Sequence, residues 1–222
     1  MKKNKLDIVY EDKWVIVVNK PAHLLTISTD KESERTLFHE VLMYEKRKNK
    51  NNKIFIVHRL DKDTSGLVIM AKSLEIKNKL QDNWDKFKRC YVAVVHGNVK
   101  EKDVIKSYLA ETKTLLVYET KDKNKGKLAI TEYRKIKENK RYSLVDINIK
   151  TGRKHQIRVQ FNNIGSSIVG DKKYGIEKDD PLRRLCLHAN YLEIIHPINN
   201  KKISFTLDIP KSFLRLVDDN NG

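Results

Sequence analysis

Cysteine is nearly absent from this sequence. Only Cys90 and Cys186 occur among 222 residues, with no CxxC spacing and no Cys/His cluster, so neither a disulfide framework nor a structural zinc site is expected. That scarcity fits a reducing, intracellular setting. The chain needs no disulfide to fold, because one of this size typically buries roughly 70% of its unfolded surface. Long apolar runs are also missing. The N-terminal MKKNKLDIVYEDKW is basic but has neither the apolar core nor the small-residue cleavage site of a signal peptide, and no run approaches membrane-spanning length. A soluble cytoplasmic protein is expected, monomeric, with no membrane partner and a single domain over residues 1–222. No GxxxxGK[ST] occurs, which excludes a P-loop, and no GxSxG, which excludes a nucleophile elbow.

Positive charge is what the chain has in excess. Forty-six Lys and Arg against 29 Asp and Glu leave a formal charge of +17, which draws polyanions by long-range attraction and counterion release. Nucleic acid is the natural partner for such a surface. Lys and Asn are abundant throughout, however, as in KRKNKNNK (46–53) and KDKNKGK (121–127). An AT-rich genome produces the same bias, so charge alone does not decide the partner.

The apolar pattern predicts mostly strands. IVYEDKWVIVVNKP holds two short runs split by a charged turn and stopped by Pro21. IFIVHRL and LVIMAKS flank a polar stretch, and CYVAVVHG ends at Gly97. KLAITEYRKIKENKRYSLVDINIK reads as one hairpin and NYLEIIHPINNKKISFTLDIP as another, turning at Pro197–Asn200. Helices are fewer. Ser73 can cap LEIKNKLQDNWDKFK, whose Ile76, Leu80, Trp84 and Phe87 share one helical face. RTLFHEVLMYEKRK is a second helical segment. A third follows Thr151, with Ile157, Phe161 and Ile164 on one face before Gly165. Strands with isolated helices predict an α+β fold: a mixed, largely antiparallel central sheet with flanking helices.

Two stretches concentrate polar chemistry. In HRLDKDTSG (58–66), the small residues Thr64, Ser65 and Gly66 permit a tight turn that projects Asp61 and Asp63 from the end of a sheet. Asp61, Asp63, Ser65 and Gly66 imitate the start of an EF-hand loop, but its twelfth position is Lys72 where calcium requires a bidentate glutamate. What remains is an exposed carboxylate near basic residues, which taken alone is more often a solvated turn than a catalytic one. In KTGRKHQIRVQF (150–161), Arg153, His155, Gln156 and Arg158 open the third helix. Arg158 falls beside the predicted buried stripe, where a guanidinium can reach a carboxylate in a fork-like pair.

HRLDKDTSGLVIMAKS, then KRCYVAVVHG, then KTGRKHQIRVQF with GSSIVGDKKYG, then LCLHANYLEIIHP, preceded by IVYEDKWVIVVNKPAHLL, resemble in order and spacing the motifs of the RluA-type pseudouridine synthases over roughly residues 6–210. The resemblance implies the pseudouridine synthase fold with a catalytic cleft, and isomerisation of uridine in ribosomal or transfer RNA without a metal or other cofactor. It implies Asp61 as the catalytic carboxylate, Arg158 as its paired cation and Tyr91 as the residue that stacks on the target ring. Arg59 is expected to fill the space of a flipped base, with His58, Arg153, His155 and Gln156 also on the RNA-contacting side. A rival reading is a noncatalytic RNA-binding or ribosome-assembly protein that keeps the fold. A third is a nucleoside hydrolase using the same carboxylate.

Two features depart from the pattern. The family's KPAG signature has His23 in place of glycine, so a tight turn there is expected to be altered. No separate N-terminal RNA-binding module is expected before residue 6.

Overall fold

The computed structural model describes residues 6–28, 36–175 and 180–218. The chain divides into two units, the first Met1–Phe87 with Tyr191–Leu207 and the second Lys88–Asn190 with Asp208–Gly222.

In the first unit, the runs on either side of the charged turn become β1 (Ile8–Glu11) and β2 (Val15–Lys20), paired antiparallel as expected. β2 continues antiparallel onto β4 (Ser65–Ala71), with Lys20 opposite Gly66. IFIVHRL forms only the two-residue β3 (Phe55–Ile56) on β4. The rest of that run is occupied otherwise, as the loop described below shows. Two helices sit on this layer. α1 (Leu37–Lys48) is capped by Thr36, whose hydroxyl accepts from His39 N; the start of its predicted segment, Arg35, lies outside the described residues. α2 (Leu74–Asp82) is capped by Ser73 as predicted, but it stops at Asp82. A short 3-10 turn, Trp84–Lys86, follows and Phe87 is extended. Ile76, Leu80 and Phe87 still reach one core with Val15, Val17, Leu67 and Ile69. A hydrophobic stripe therefore survives a break in the helix that periodicity cannot see.

The second unit is built on antiparallel strands. β5 (Lys88–His96) pairs with β9 (Tyr142–Ile149), β9 with β8 (Lys127–Glu138), β8 with β6 (Lys102–Glu111), and β6 with β7 (Val117–Thr120), in the order β5–β9–β8–β6–β7. β8 and β9 are the predicted hairpin, whereas β6 and β7 carry no strong apolar run. α3 (Gln156–Asn163) and α4 (Lys211–Leu216) flank these strands, and Phe161 and Phe213 are fully buried in the core. β10 (Leu187–Ile195) contributes residues 187–190 to this unit and 191–195 to the first. There it forms the expected antiparallel hairpin with β11 (Lys202–Thr206). No helix among the described residues is long and apolar enough to cross a membrane.

A charge cluster ties α1 to β1 and to the end of β4. Glu45, with only 3% of its side chain exposed, takes hydrogen bonds from Lys48 and Asn52 and an ion pair from Lys72. Glu11 takes them from Lys48, Lys72 and the Tyr44 hydroxyl. Burial raises the Glu11 carboxyl, but the bonds from Lys48, Lys72 and Tyr44 outweigh it and hold it at about 2. A carboxyl whose folded value lies below its unfolded one stabilises the fold above the unfolded value, and that stabilisation is lost as pH falls through the folded value. Glu11 should thus contribute stability above about pH 4.5 that is lost progressively toward about pH 2. Urea melts from pH 6 to 2 should show this decline. The slope should flatten in Glu11→Gln, and an unchanged slope in that variant would remove the cluster from the account.

Candidate active site

The Asp61 loop is shaped by polar contacts rather than by a ladder. Lys20 is fully buried, and its ammonium donates to the carbonyls of Pro21 (3.0 Å), Leu24 (2.7 Å) and Lys62 (3.0 Å). Three acceptors match the three donors of an ammonium. Two of them belong to the turn after β2 and the third to the residue following Asp61, so one side chain fixes two segments. Thr26 repeats the device, its hydroxyl donating to Leu60 O (2.8 Å) and accepting from Leu60 N (3.2 Å). Thr64 N closes the turn on Asp61 O at 3.2 Å. Asp61 is half-buried at the tip and Arg59 is exposed beside it.

His58, expected on the RNA-contacting side, is half-buried. Its Nε2 accepts from Ile69 N at 3.1 Å, and its ring stacks on Trp84 with centroids 4.4 Å apart. The ring thus holds the strand entering the loop, which explains why IFIVHRL does not run on as a strand. His23 adopts the left-handed conformation a glycine would take, with φ 65°, and its Nδ1 meets Asp63 Oδ1 at 3.0 Å. The tight turn is therefore kept, and the imidazole gains a contact on the Asp61 loop.

In the second unit the lead residues sit on β5 and α3. Tyr91 is half-buried on β5 opposite Ile147 of β9. α3 is buried from Gln156 through Phe161, because two glutamines satisfy the interior on its polar side. Gln160 bonds Thr131, Ser107 and Ala129 O. Gln156 accepts from Thr151 and Arg153 N and donates to Ile130 O and Thr131. Gln156, expected on the RNA-contacting side, is 4% exposed, and its engaged amide anchors the helix. Ile164, expected on the buried face, is 44% exposed beyond the last turn.

Arg158 is buried, not set beside the core as its spacing implied. Its Nε and Nη2 donate to Oδ2 and Oδ1 of Asp171, each at 2.8 Å. Asp171 Oδ1 also accepts from the backbone N–H groups of Lys173 (3.0 Å) and Tyr174 (3.1 Å). Burial would raise the Asp171 carboxyl, but Arg158 and these N–H groups outweigh it and hold it below the usual carboxylate range. The Tyr174 ring lies 5.2 Å from the guanidinium, and its hydroxyl accepts from Val117 N and meets His155 Nδ1 at 2.7 Å. Arg153 is exposed, its Nε on Leu128 O. The structure thus brings His155 and Arg158 together around Tyr174. Asp171, Tyr174 and Lys20 lie in the GDKKYG and NKPAH stretches but are not singled out by the sequence pattern. Among the described residues, no group of three or more His, Cys, Asp or Glu is placed to hold a metal.

Residues 14–163 match the family model for RNA pseudouridylate synthase. The chain belongs to the RNA pseudouridylate synthase family. An RNA pseudouridine synthase of Mycoplasma genitalium is 34% identical over 217 residues, covering 94% of this chain and 68% of its own. The ribosomal large subunit pseudouridine synthase D of Zymomonas mobilis is 33% identical over 225 residues, covering 93% and 70%. Human RNA pseudouridylate synthase domain containing 4 shares the fold at TM-score 0.78 and 20% identity, covering 94% of this chain and 90% of its own. This synthase accordingly has the predicted α+β fold and enzyme class.

Lys20→Met should destabilise this synthase by about 1–3 kcal/mol, since the carbonyls of Pro21, Leu24 and Lys62 lose the donor that joins them. Urea denaturation measures it, and a change within about 0.5 kcal/mol would mean that water replaces the ammonium. His23→Gly should be neutral or stabilising by up to about 1 kcal/mol, because removing left-handed strain outweighs an exposed ion pair.

Proposed function

We propose that this synthase converts uridine to pseudouridine in ribosomal RNA, with Asp61 as the catalytic carboxylate and Tyr91 and Arg158 as its partners in the chemistry. The observation that supports the RNA class most directly is the likeness to relatives named for the large ribosomal subunit, over nearly the whole of this chain. Transfer RNA is the other outcome of the mapping described below. The residue assignment rests on the match of HRLDKDTSG, CYVAVV and HQIRV to the family motifs.

The reaction breaks the N1–C1′ bond, turns the uracil and forms a C5–C1′ bond. The C5 proton leaves to solvent and N1 regains one, so no electrons are gained or lost. An ionised Asp61 serves as nucleophile or base in that sequence. The loop held by Lys20 and Thr26 presents the carboxylate with its backbone already ordered, which reduces what binding must supply. Tyr91 offers a ring for the uracil to stack on. The target base must first leave its stack, an extrusion costing on the order of a few kcal/mol, and the exposed Arg59 is suited to occupy the vacated place. Arg153 and the lysine-rich surface then contact the phosphate backbone.

Asp61→Asn should abolish tritium release from C5-labelled uridine RNA while leaving RNA affinity nearly intact, and Asp63→Asn should stay active. The opposite pattern would move the catalytic role to Asp63. A noncatalytic RNA-binding protein would release no tritium in any variant, and a hydrolase would liberate free uracil. Affinity should fall with salt at a log–log slope of about −0.7 per phosphate contacted. Pseudouridine mapping in a strain lacking the gene identifies the RNA and the position.

A further inference from the structure

A cavity of about 570 Å³ opens beside the charge cluster of the first unit, a volume within the range of small-ligand sites. It lies at the opposite end of the β2–β4 ladder from the Asp61 loop. Val15 pairs with Ala71 at the cavity end and Lys20 with Gly66 at the loop end, so about 17 Å of strand separates the two. The floor is an ordered network. Lys48 and Lys72 bind Glu11 and Glu45, and Asn52 donates to the Glu45 carboxylate and carbonyl, which fixes the turn leaving α1. Two lysines balance two carboxylates there. Lys72 uses two of the three donors of its ammonium on them, which leaves one for a ligand.

The rim is charged differently. Lys13 and Lys53 line the cavity and are exposed, and neither forms an ion pair among the described residues. Their two charges are the excess of the site. Phe55 adds a half-buried aromatic wall and Asn51 an exposed amide. A ring to stack on, cations for a phosphate and an amide for a base edge are the elements with which proteins hold an unpaired nucleotide. We infer that this cavity binds a nucleotide, its phosphate on Lys13, Lys53 and Lys72 and its base against Phe55. The nucleotide is either a unit of RNA remote from the target uridine or a free one. The site shares no residue with the proposed catalytic set, so binding here and isomerisation at Asp61 can fail separately.

The test uses the full chain with two probes that contain no uridine, an oligoadenosine hexamer and adenosine 5′-monophosphate. Phe55→Leu removes the ring and keeps the charge, while Lys13→Gln with Lys53→Gln removes exposed charge and keeps the ring. If RNA occupies the cavity, the hexamer Kd should rise about fivefold or more in Phe55→Leu, as expected for a lost base–aromatic stack. The double lysine variant should then lower the log–log salt slope by about 1.4, two phosphate contacts at about 0.7 each. If a free nucleotide occupies it, adenosine 5′-monophosphate should bind the wild type and weaken about fivefold or more in both variants, with the hexamer unchanged. Unchanged affinity for both probes in both variants would overturn the site. So would an equal loss in Lys113→Gln with Lys121→Gln, two exposed lysines of the second unit, because net charge would then account for the effect. Should Phe55→Leu fail to fold, the exposed lysine pair carries the test against that control. A wild type that binds these probes yet releases no tritium from C5-labelled RNA would sink the proposed reaction and leave the nucleotide site standing.

Discussion

The ammonium of Lys20 organises the first unit around the Asp61 loop. Lys20 is among the largest fully buried side chains of the described residues, and it holds carbonyls from two segments, Pro21 and Leu24 on one side and Lys62 on the other. A loop that bends a half-buried carboxylate outward has backbone carbonyls facing inward, and buried carbonyls must be satisfied. Water could do this, but water does not set a distance between two segments. A tethered ammonium does. The end of β2, with Lys20 opposite Gly66, places the charge where both segments leave the sheet. Thr26 and His58 then serve the remaining backbone groups of Leu60 and Ile69.

The second unit solves a different problem with a different device. α3 is eight residues long, too short to hold itself in place without tertiary contacts. An apolar stripe alone would let so short a helix rotate or slide. Gln156 and Gln160, one turn apart, bond Thr131 and the carbonyls of Ile130 and Ala129 on β8. Hydrogen bonds are directional, so this pair fixes rotation as well as position, and Arg158 lies between the two in sequence. The guanidinium is therefore aimed by the helix at one end and by Asp171 at the other.

Much of this was legible in the sequence, and the misses share a cause. β1, β2, β5 and both long hairpins were readable because their apolar residues lie in runs. β6 was not: its Val104 is exposed and its Ser107 and Leu109 are buried, so one face packs on a polar network and the pattern carries little contrast. β3 was overread because IFIVHRL is apolar for the sake of the core, while its backbone follows the contacts of His58 and Leu60. The motifs pointed to one nine-residue loop and one helix. They could not tell side chains that face outward, such as Arg59 and Arg153, from those that face in, such as His58 and Gln156. That distinction depends on partners distant in sequence: Ile69 and Trp84 for His58, Ile130 and Thr131 for Gln156.

The buried pair of Arg158 and Asp171 is best understood by what apolar residues could not replace. Removing two such charges from water is expensive, and well-packed apolar residues of similar volume often give equal or greater stability. Stability is thus a poor reason for 8% and 1% exposed side chains to carry opposite charges here. A hydrophobic pair, however, has no preferred direction. The fork has one, and it is enforced by two backbone N–H groups, two close-packed glycines and an aromatic ring over the cation. Every one of those constraints acts on orientation. The cost of burying the pair is met by hydrogen bonds whose common result is a guanidinium with a fixed plane.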